Sequence, residues 1–165
     1  MTGSDLQLRR KLSFRKGEQR LILIKKPVES ARHVMMKALL WALYLPDYPE
    51  IRVEVPVGGK YKPDLVETGP EGPRFWAEAG SVGTEKLRRL LKRFPRTHFA
   101  LAVWGTGLDP LENRVRRCLA ALQRKAPVDL IRFPPDAARH FVDEKGNLDL
   151  RHEDVEWRRI GGSRA

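Results

Sequence analysis

The sequence predicts an α/β fold in which helices flank a mixed central sheet and an N-terminal hairpin precedes it. Two observations carry that prediction. Between residues 51 and 104 apolar residues recur with period two or in short unbroken runs, whereas residues 28–45 and 84–94 follow helical spacing. From residue 28 the order reads helix, three strands, helix, strand, then helix and strand. A three-strand meander followed by a helix and an apolar strand builds a mixed sheet with helices against it. The 165 residues, 41% hydrophobic and 32% charged, suit a single folded domain, assigned to residues 1–150. Residues 151–165 are charged and poorly patterned, and are expected to form a loosely held tail.

Each element has its own warrant. "LQLRRKLSFRKGEQRLILIKK" reads as two strands joined across Lys16-Gly17-Glu18. Pro27 opens a helical stretch with apolar residues at 34, 35, 38, 39, 41, 42 and 45, and Pro46 and Pro49 stop it. "IRVEVPV" places Ile51, Val53, Val55 and Val57 on one strand face. Gly58-Gly59 is a turn, "YKPDLVE" a second strand, "TGPEGP" a turn and "RFWAEAG" a third strand. Leu87, Leu90, Leu91 and Phe94 mark the next helix, ended by Pro95. "HFALAVWG" is apolar enough for a strand covered on both faces. Asp109 as cap and Pro110 at the first helical position open a helix whose apolar face holds Leu111, Val115, Cys118, Leu119 and Leu122. "VDLIRF" is a further strand, "PDAARHF" a helical turn and "FVDEKGNLDL" a terminal hairpin.

Composition narrows the function classes. No apolar run approaches the roughly 20 residues that span a bilayer, so membrane insertion is not expected. The N-terminus lacks a signal-peptide pattern, and a cytoplasmic location is expected. The single Cys118 excludes an intramolecular disulfide framework and a cysteine zinc cluster. The four histidines have no HExxH spacing, and "GGK" at 58–60 lacks the spacing of a phosphate loop. Trp41, Trp76 and Trp104 lie in apolar elements and read as core, with Trp76 on the face that carries Glu78. The net charge of +11 is the strongest global signal, and it favours a polyanion bound through counterion release. DNA or RNA is therefore the leading expected partner, with Lys86, Arg88, Arg89, Lys92 and Arg93 as nucleic-acid-binding residues. A basic proteome and an anionic membrane surface are the other sources of such a charge.

One hairpin carries an acid in each arm, Asp64 and Glu78, where buried strands favour Val or Ile. A charge there costs several kcal/mol unless it is paired, solvated or bound to a cation. If the two are directly opposed, the antiparallel register has an index sum of 142 and sets Lys62 opposite Gly80. Opposed carboxylates about 5 Å apart at the backbone repel unless a hard cation such as Mg²⁺ (or Mn²⁺) lies between them. A buried pair with Arg or Lys is the competing reading. Glu29, His33 and Lys37 form one polar stripe on an apolar helix, and Glu54 and Glu67 are weaker acidic candidates.

Pro63-Asp64, then thirteen residues, then Glu78-Ala79-Gly80, within helix–strand–strand–strand–helix–strand, resembles the PD-(D/E)XK nuclease superfamily. Within it the chain is most similar to the YaeQ family, over residues 5–105. The likeness rests on "PVESARHVMMKALLWAL", "KPDLV" and "FWAEAGSVGTEKLRRLL". The resemblance implies a restriction-endonuclease-like core (α-β-β-β-α-β) and metal-dependent hydrolysis of nucleic-acid phosphodiesters. It makes Asp64 and Glu78 catalytic metal ligands and Glu29 a third acid at the metal. The superfamily's lysine, two positions after the second acid, is replaced by Gly80. Lys62, reaching across the strand pair, is the first substitute expected to act catalytically, and Lys86 the second. The missing lysine also leaves the alternative of a non-catalytic nucleic-acid-binding or scaffold protein.

Overall fold

A computed structural model describes residues 10–162. The expected first strand begins further back, and its residues 6–9 lie outside the described range, as do the last three of the expected tail. The hairpin comes first, β1 (Arg10–Lys16) against β2 (Gln19–Lys25), and forms a two-stranded sheet of its own. Helix α1 (Ala31–Tyr44) follows, and its Ser30 cap accepts the His33 amide at 3.0 Å. Then come β3 (Arg52–Val53), β4 (Leu65–Gly69), β5 (Gly72–Ala79), α2 (Thr84–Arg93), β6 (His98–Trp104), α3 (Asp109–Leu119) and β7 (Pro127–Phe133). A short α4 (Ala137–Phe141), a 3₁₀ turn (His152–Asp154) and β8 (Glu156–Gly161) close the described chain.

Strands β3 to β8 lie in sequence order in one sheet. β5, β6 and β7 run parallel; β3–β4, β4–β5 and β7–β8 are antiparallel. The mixed α/β architecture with a separate hairpin is therefore as the sequence predicts. Parallel neighbours need crossovers, and α2 and α3 supply them on one face. There Leu87, Leu90, Leu91, Leu111, Val115 and Cys118 bury against Trp76, Phe99, Leu101, Val128 and Leu130. The other face packs α1 and the hairpin over Phe75, Ala77, Ala79, Ala100 and Ala102. Those four alanines let α1 come close, and the hairpin covers its far side. This is why α1 buries nearly everything from Val34 to Tyr44, including Lys37. Trp41 and Trp76 are core as expected, while Trp104 is half-buried at the end of β6.

The sequence reading needs correction at four places. The strand expected over 51–57 shrinks to Arg52–Val53, because Glu54 takes a φ of +53° and leaves the ladder. Asp109 does not cap α3; its carboxylate instead accepts from Arg158 at 2.7 Å. The terminal hairpin reduces to a single bridge, Val142 to Leu148, beside a turn that docks on β1. There Arg15 N–H donates to the Gly146 carbonyl at 2.8 Å, and a Cβ on Gly146 would overlap the Ser13 carbonyl oxygen. The largest correction concerns residues 151–165. Far from a loose tail, Glu156–Gly161 is the edge strand β8, with Ile160 buried and Arg159 held by Asp129.

Candidate functional site

The β4–β5 ladder pairs Leu65 with Ala77, Val66 with Trp76 and Glu67 with Phe75, which is the register of index sum 142. Asp64 thus stands immediately before β4 and opposite Glu78, on the sheet face of Trp76. The two carboxyl groups are near enough to shift each other's ionisation. Glu78 is 6% exposed and also accepts from the Trp76 indole N–H at 3.1 Å. Burial, and then the charge of Asp64, push the Glu78 carboxyl up to about 7. Burial alone would raise Asp64 as well. The His33 ring and the Ala79 amide, which donates at 2.8 Å, outweigh it and hold Asp64 below its ordinary value. The pair is therefore unequal: one committed carboxylate beside one carboxyl that readily keeps its proton.

Helix α1 supplies the surroundings. His33 Nδ1 lies 2.7 Å from Glu29 Oε2, and its Nε2 lies 3.4 Å from Asp64 Oδ2. Lys37 Nζ lies 2.6 Å from Glu29 and 3.0 Å from Glu54. Burial would neutralise this lysine, but Glu29 and Glu54 keep it charged and raise its pKa. The hydrogen bond to Asp64, opposed by burial, raises His33. Glu29, against the effect of burial, is held down by Lys37 and His33. The polar stripe of the sequence is thus one chain of alternating charge, Glu54–Lys37–Glu29–His33–Asp64, ending at Glu78. Lys37 and Glu54 matter here more than the sequence suggested, since neither residue announces the other across the intervening turns.

Two expected roles do not match this geometry. Glu29 is spent on Lys37 and His33 rather than turned toward a shared cation. Among the described residues no three His, Cys, Asp or Glu side chains converge on one metal position. A cation here would take two protein carboxylates, with water or substrate completing its sphere, which suits Mg²⁺ or Mn²⁺. Lys62 and Gly80 both lie outside the β4–β5 ladder, so the expected cross-strand pairing is not formed. The chain enters β4 only at Leu65, and Lys62 is exposed and makes no ion pair among the described residues. Lys86, the second choice, is the lysine at the pair, with Nζ 3.4 Å from Glu78 Oε1. Gly80 explains the exchange. Its φ of +91° suits glycine and would strain a lysine, so the cation reaches Glu78 from the first turn of α2 instead. Glu67 lies elsewhere, buried, and accepts from the Glu50 amide at 2.8 Å.

The remaining basic residues begin at this same corner. Lys86, Arg88, Arg89, Lys92 and Arg93 are all exposed on α2, while Leu87, Leu90 and Leu91 turn inward. Arg88 pairs with Glu85 at 2.6 Å, and Arg93 lies over the Tyr61 ring at 5.6 Å. The result is a basic helix face that starts at the carboxylate pair. Among the described residues no helix is long and apolar enough to cross a membrane.

No protein-family profile matches the sequence, and no curated protein matches it. Solved structures do. The chain is similar to the YaeQ protein from Pseudomonas syringae, with a TM-score of 0.65 and 14% identity over 96% of this chain and 98% of that one. It is also similar to the YaeQ protein from Xanthomonas axonopodis pv. citri, with a TM-score of 0.53 and 16% identity over 74% and 72% of the two chains. At these identities the likeness establishes a shared YaeQ-like fold.

Proposed function

For a chain that shares the YaeQ fold, we propose a metal-dependent, nuclease-like hydrolase of nucleic-acid phosphodiesters, built on a restriction-endonuclease-like core. The observation that carries the proposal is the Asp64–Glu78 pair with Lys86 3.4 Å from Glu78, beside an exposed basic helix face. Asp64 and Glu78 would hold Mg²⁺ or Mn²⁺; such an ion, when bound, supplies an acidified water and charge stabilisation at phosphorus. The protein's part is separate from that chemistry. Asp64 is kept ionised and oriented by the Ala79 amide and His33. Glu78 would hold such an ion as its carboxylate, without the proton that burial and Asp64 favour. Lys86 balances charge developing on a phosphate oxygen. Arg88, Arg89, Lys92 and Arg93 follow the phosphate backbone without reading sequence, so affinity falls steeply with salt.

The test is cleavage of single- and double-stranded DNA and RNA with Mg²⁺ and Mn²⁺. Asp64→Asn and Lys86→Ala are expected to lower the rate by about 10² or more, the scale for losing a charge-stabilising group, and Lys62→Ala to leave it unchanged. Salt-sensitive binding with no cleavage by the unaltered chain would replace this reading with a non-catalytic nucleic-acid-binding protein. That alternative is favoured by the commitment of Glu29 to Lys37, which leaves two acids where the resemblance implies three. Absence of binding at low salt would overturn both.

A further inference from the structure

At the opposite end of the sheet, about 16 Å from Glu78 along β5 at strand spacing, lies a cleft of about 610 Å³. Tyr48, Pro70, Pro73, Arg74, Arg96 and His98 line it. Behind its wall stands a buried polar relay that the carboxylate site does not use. Asp129 is fully buried and accepts from His98 Nε2–H at 2.7 Å, Tyr44 O–H at 2.6 Å and Arg159 at 2.8 and 3.1 Å. On the other side of the imidazole, His98 Nδ1 is 2.9 Å from the Tyr48 hydroxyl. Stacking of Tyr48 on Phe75, with ring centroids 4.6 Å apart, fixes that hydroxyl at the cleft wall.

The relay leaves Tyr48 partly unspent. Asp129 occupies the Nε2 side of the imidazole and the Tyr48 hydroxyl its Nδ1 side, so both ring nitrogens are satisfied within the protein. The phenolic oxygen then keeps lone pairs for an N–H or O–H donor entering the cleft. Cations cluster at the rim: Arg74, Arg96 and Lys125 line it against one lining acid, Glu71. Arg96 lies 3.3 Å from Glu71, and Arg74 lies 3.5 Å from the buried Glu67. A guanidinium has five N–H donors in a planar fork, so each arginine retains donors for a second anion. Prolines and the Tyr48 ring supply flat apolar wall between these polar ends. The volume is several times what an inorganic oxyanion fills, and falls within the range of small-molecule sites.

We propose that this cleft is a second binding site, for a small phosphorylated organic molecule the size of a nucleoside monophosphate. Its phosphate lies against Arg96 and Arg74, its ring on the proline and tyrosine wall, and one of its donors on Tyr48. The site is independent of the carboxylate pair and stands whether or not the chain cleaves nucleic acid.

Isothermal titration of the full chain, in EDTA, with adenosine 5′-monophosphate, adenosine and inorganic phosphate tests this. The monophosphate is expected to bind at least about tenfold more tightly than either fragment. Arg96→Glu, at an exposed position that leaves folding intact, should weaken it by roughly tenfold or more, and Tyr48→Phe by about fivefold. Asp64→Asn should leave it unchanged, which separates this site from the other. No heat with the monophosphate at millimolar concentration overturns the proposal. So does equal affinity for adenosine or for phosphate alone, or unchanged affinity in Arg96→Glu.

Discussion

Asp129→Ala is expected to destabilise the fold by about 3–5 kcal/mol, the cost of leaving buried partners of a charge unpaired. Asp129 is fully buried between β6 and β8, and its two oxygens serve His98, Tyr44 and Arg159 at once. Burial would raise its pKa; the His98 and Arg159 hydrogen bonds outweigh it and hold the carboxyl down to about 2. Its folded pKa is thus below its unfolded value near 4, so the unfolded chain binds the proton first. The associated stability is full above the unfolded value and is lost as pH falls toward 2. Chemical denaturation at pH 7 and pH 3 should show the penalty shrinking by about 1 kcal/mol on acidification. A constant penalty would mean that packing alone is at stake.

Glu78 should behave in the opposite sense. Its folded pKa, about 7, is above the unfolded value, so between the two the folded chain holds more protons. Its contribution is most favourable at low pH and is lost as pH rises through 7. Glu78→Gln is therefore expected to stabilise the chain by about 2 kcal/mol at pH 8 and by little at pH 5. The amide also suits the site, since its oxygen keeps the Trp76 hydrogen bond and its NH₂ can donate to Asp64. His33, also raised, weakens stability with rising pH in both proteins, so the difference between them isolates Glu78. Equal pH profiles for the two chains would show that neither burial nor Asp64 raises Glu78.

The hairpin arms were legible from alternation, but not their register: the turn pairs Gly69 with Gly72 at an index sum of 141, and only the irregularity at Glu67/Thr68 brings Asp64 opposite Glu78. The helices at 31–44 and 84–93 were legible for the same local reason. What failed depended on partners distant in sequence. β8 has only Trp157 and Ile160 as apolar residues, and its arginines looked solvent-facing until Asp109, Glu112 and Asp129 came to meet them. Nothing in the local pattern of β6 or β7 links His98 to Asp129, and only the pairing of those strands brings them together. Lys62 was misplaced by assuming that β4 extends back to it. Lys86 reached Glu78 because Gly80 turns the chain sharply into α2, a backbone feature that side-chain patterning does not encode.

The proposed sharing of a divalent cation by Asp64 and Glu78 is open to a crystal soaked in Mn²⁺ at pH 8. One anomalous peak is expected between the two carboxylates, absent in Asp64→Asn. Lys86 is expected to move off Glu78 toward solvent or phosphate. A map with no peak at this position, or with Lys86 still on Glu78 and the metal bound elsewhere, would contradict it.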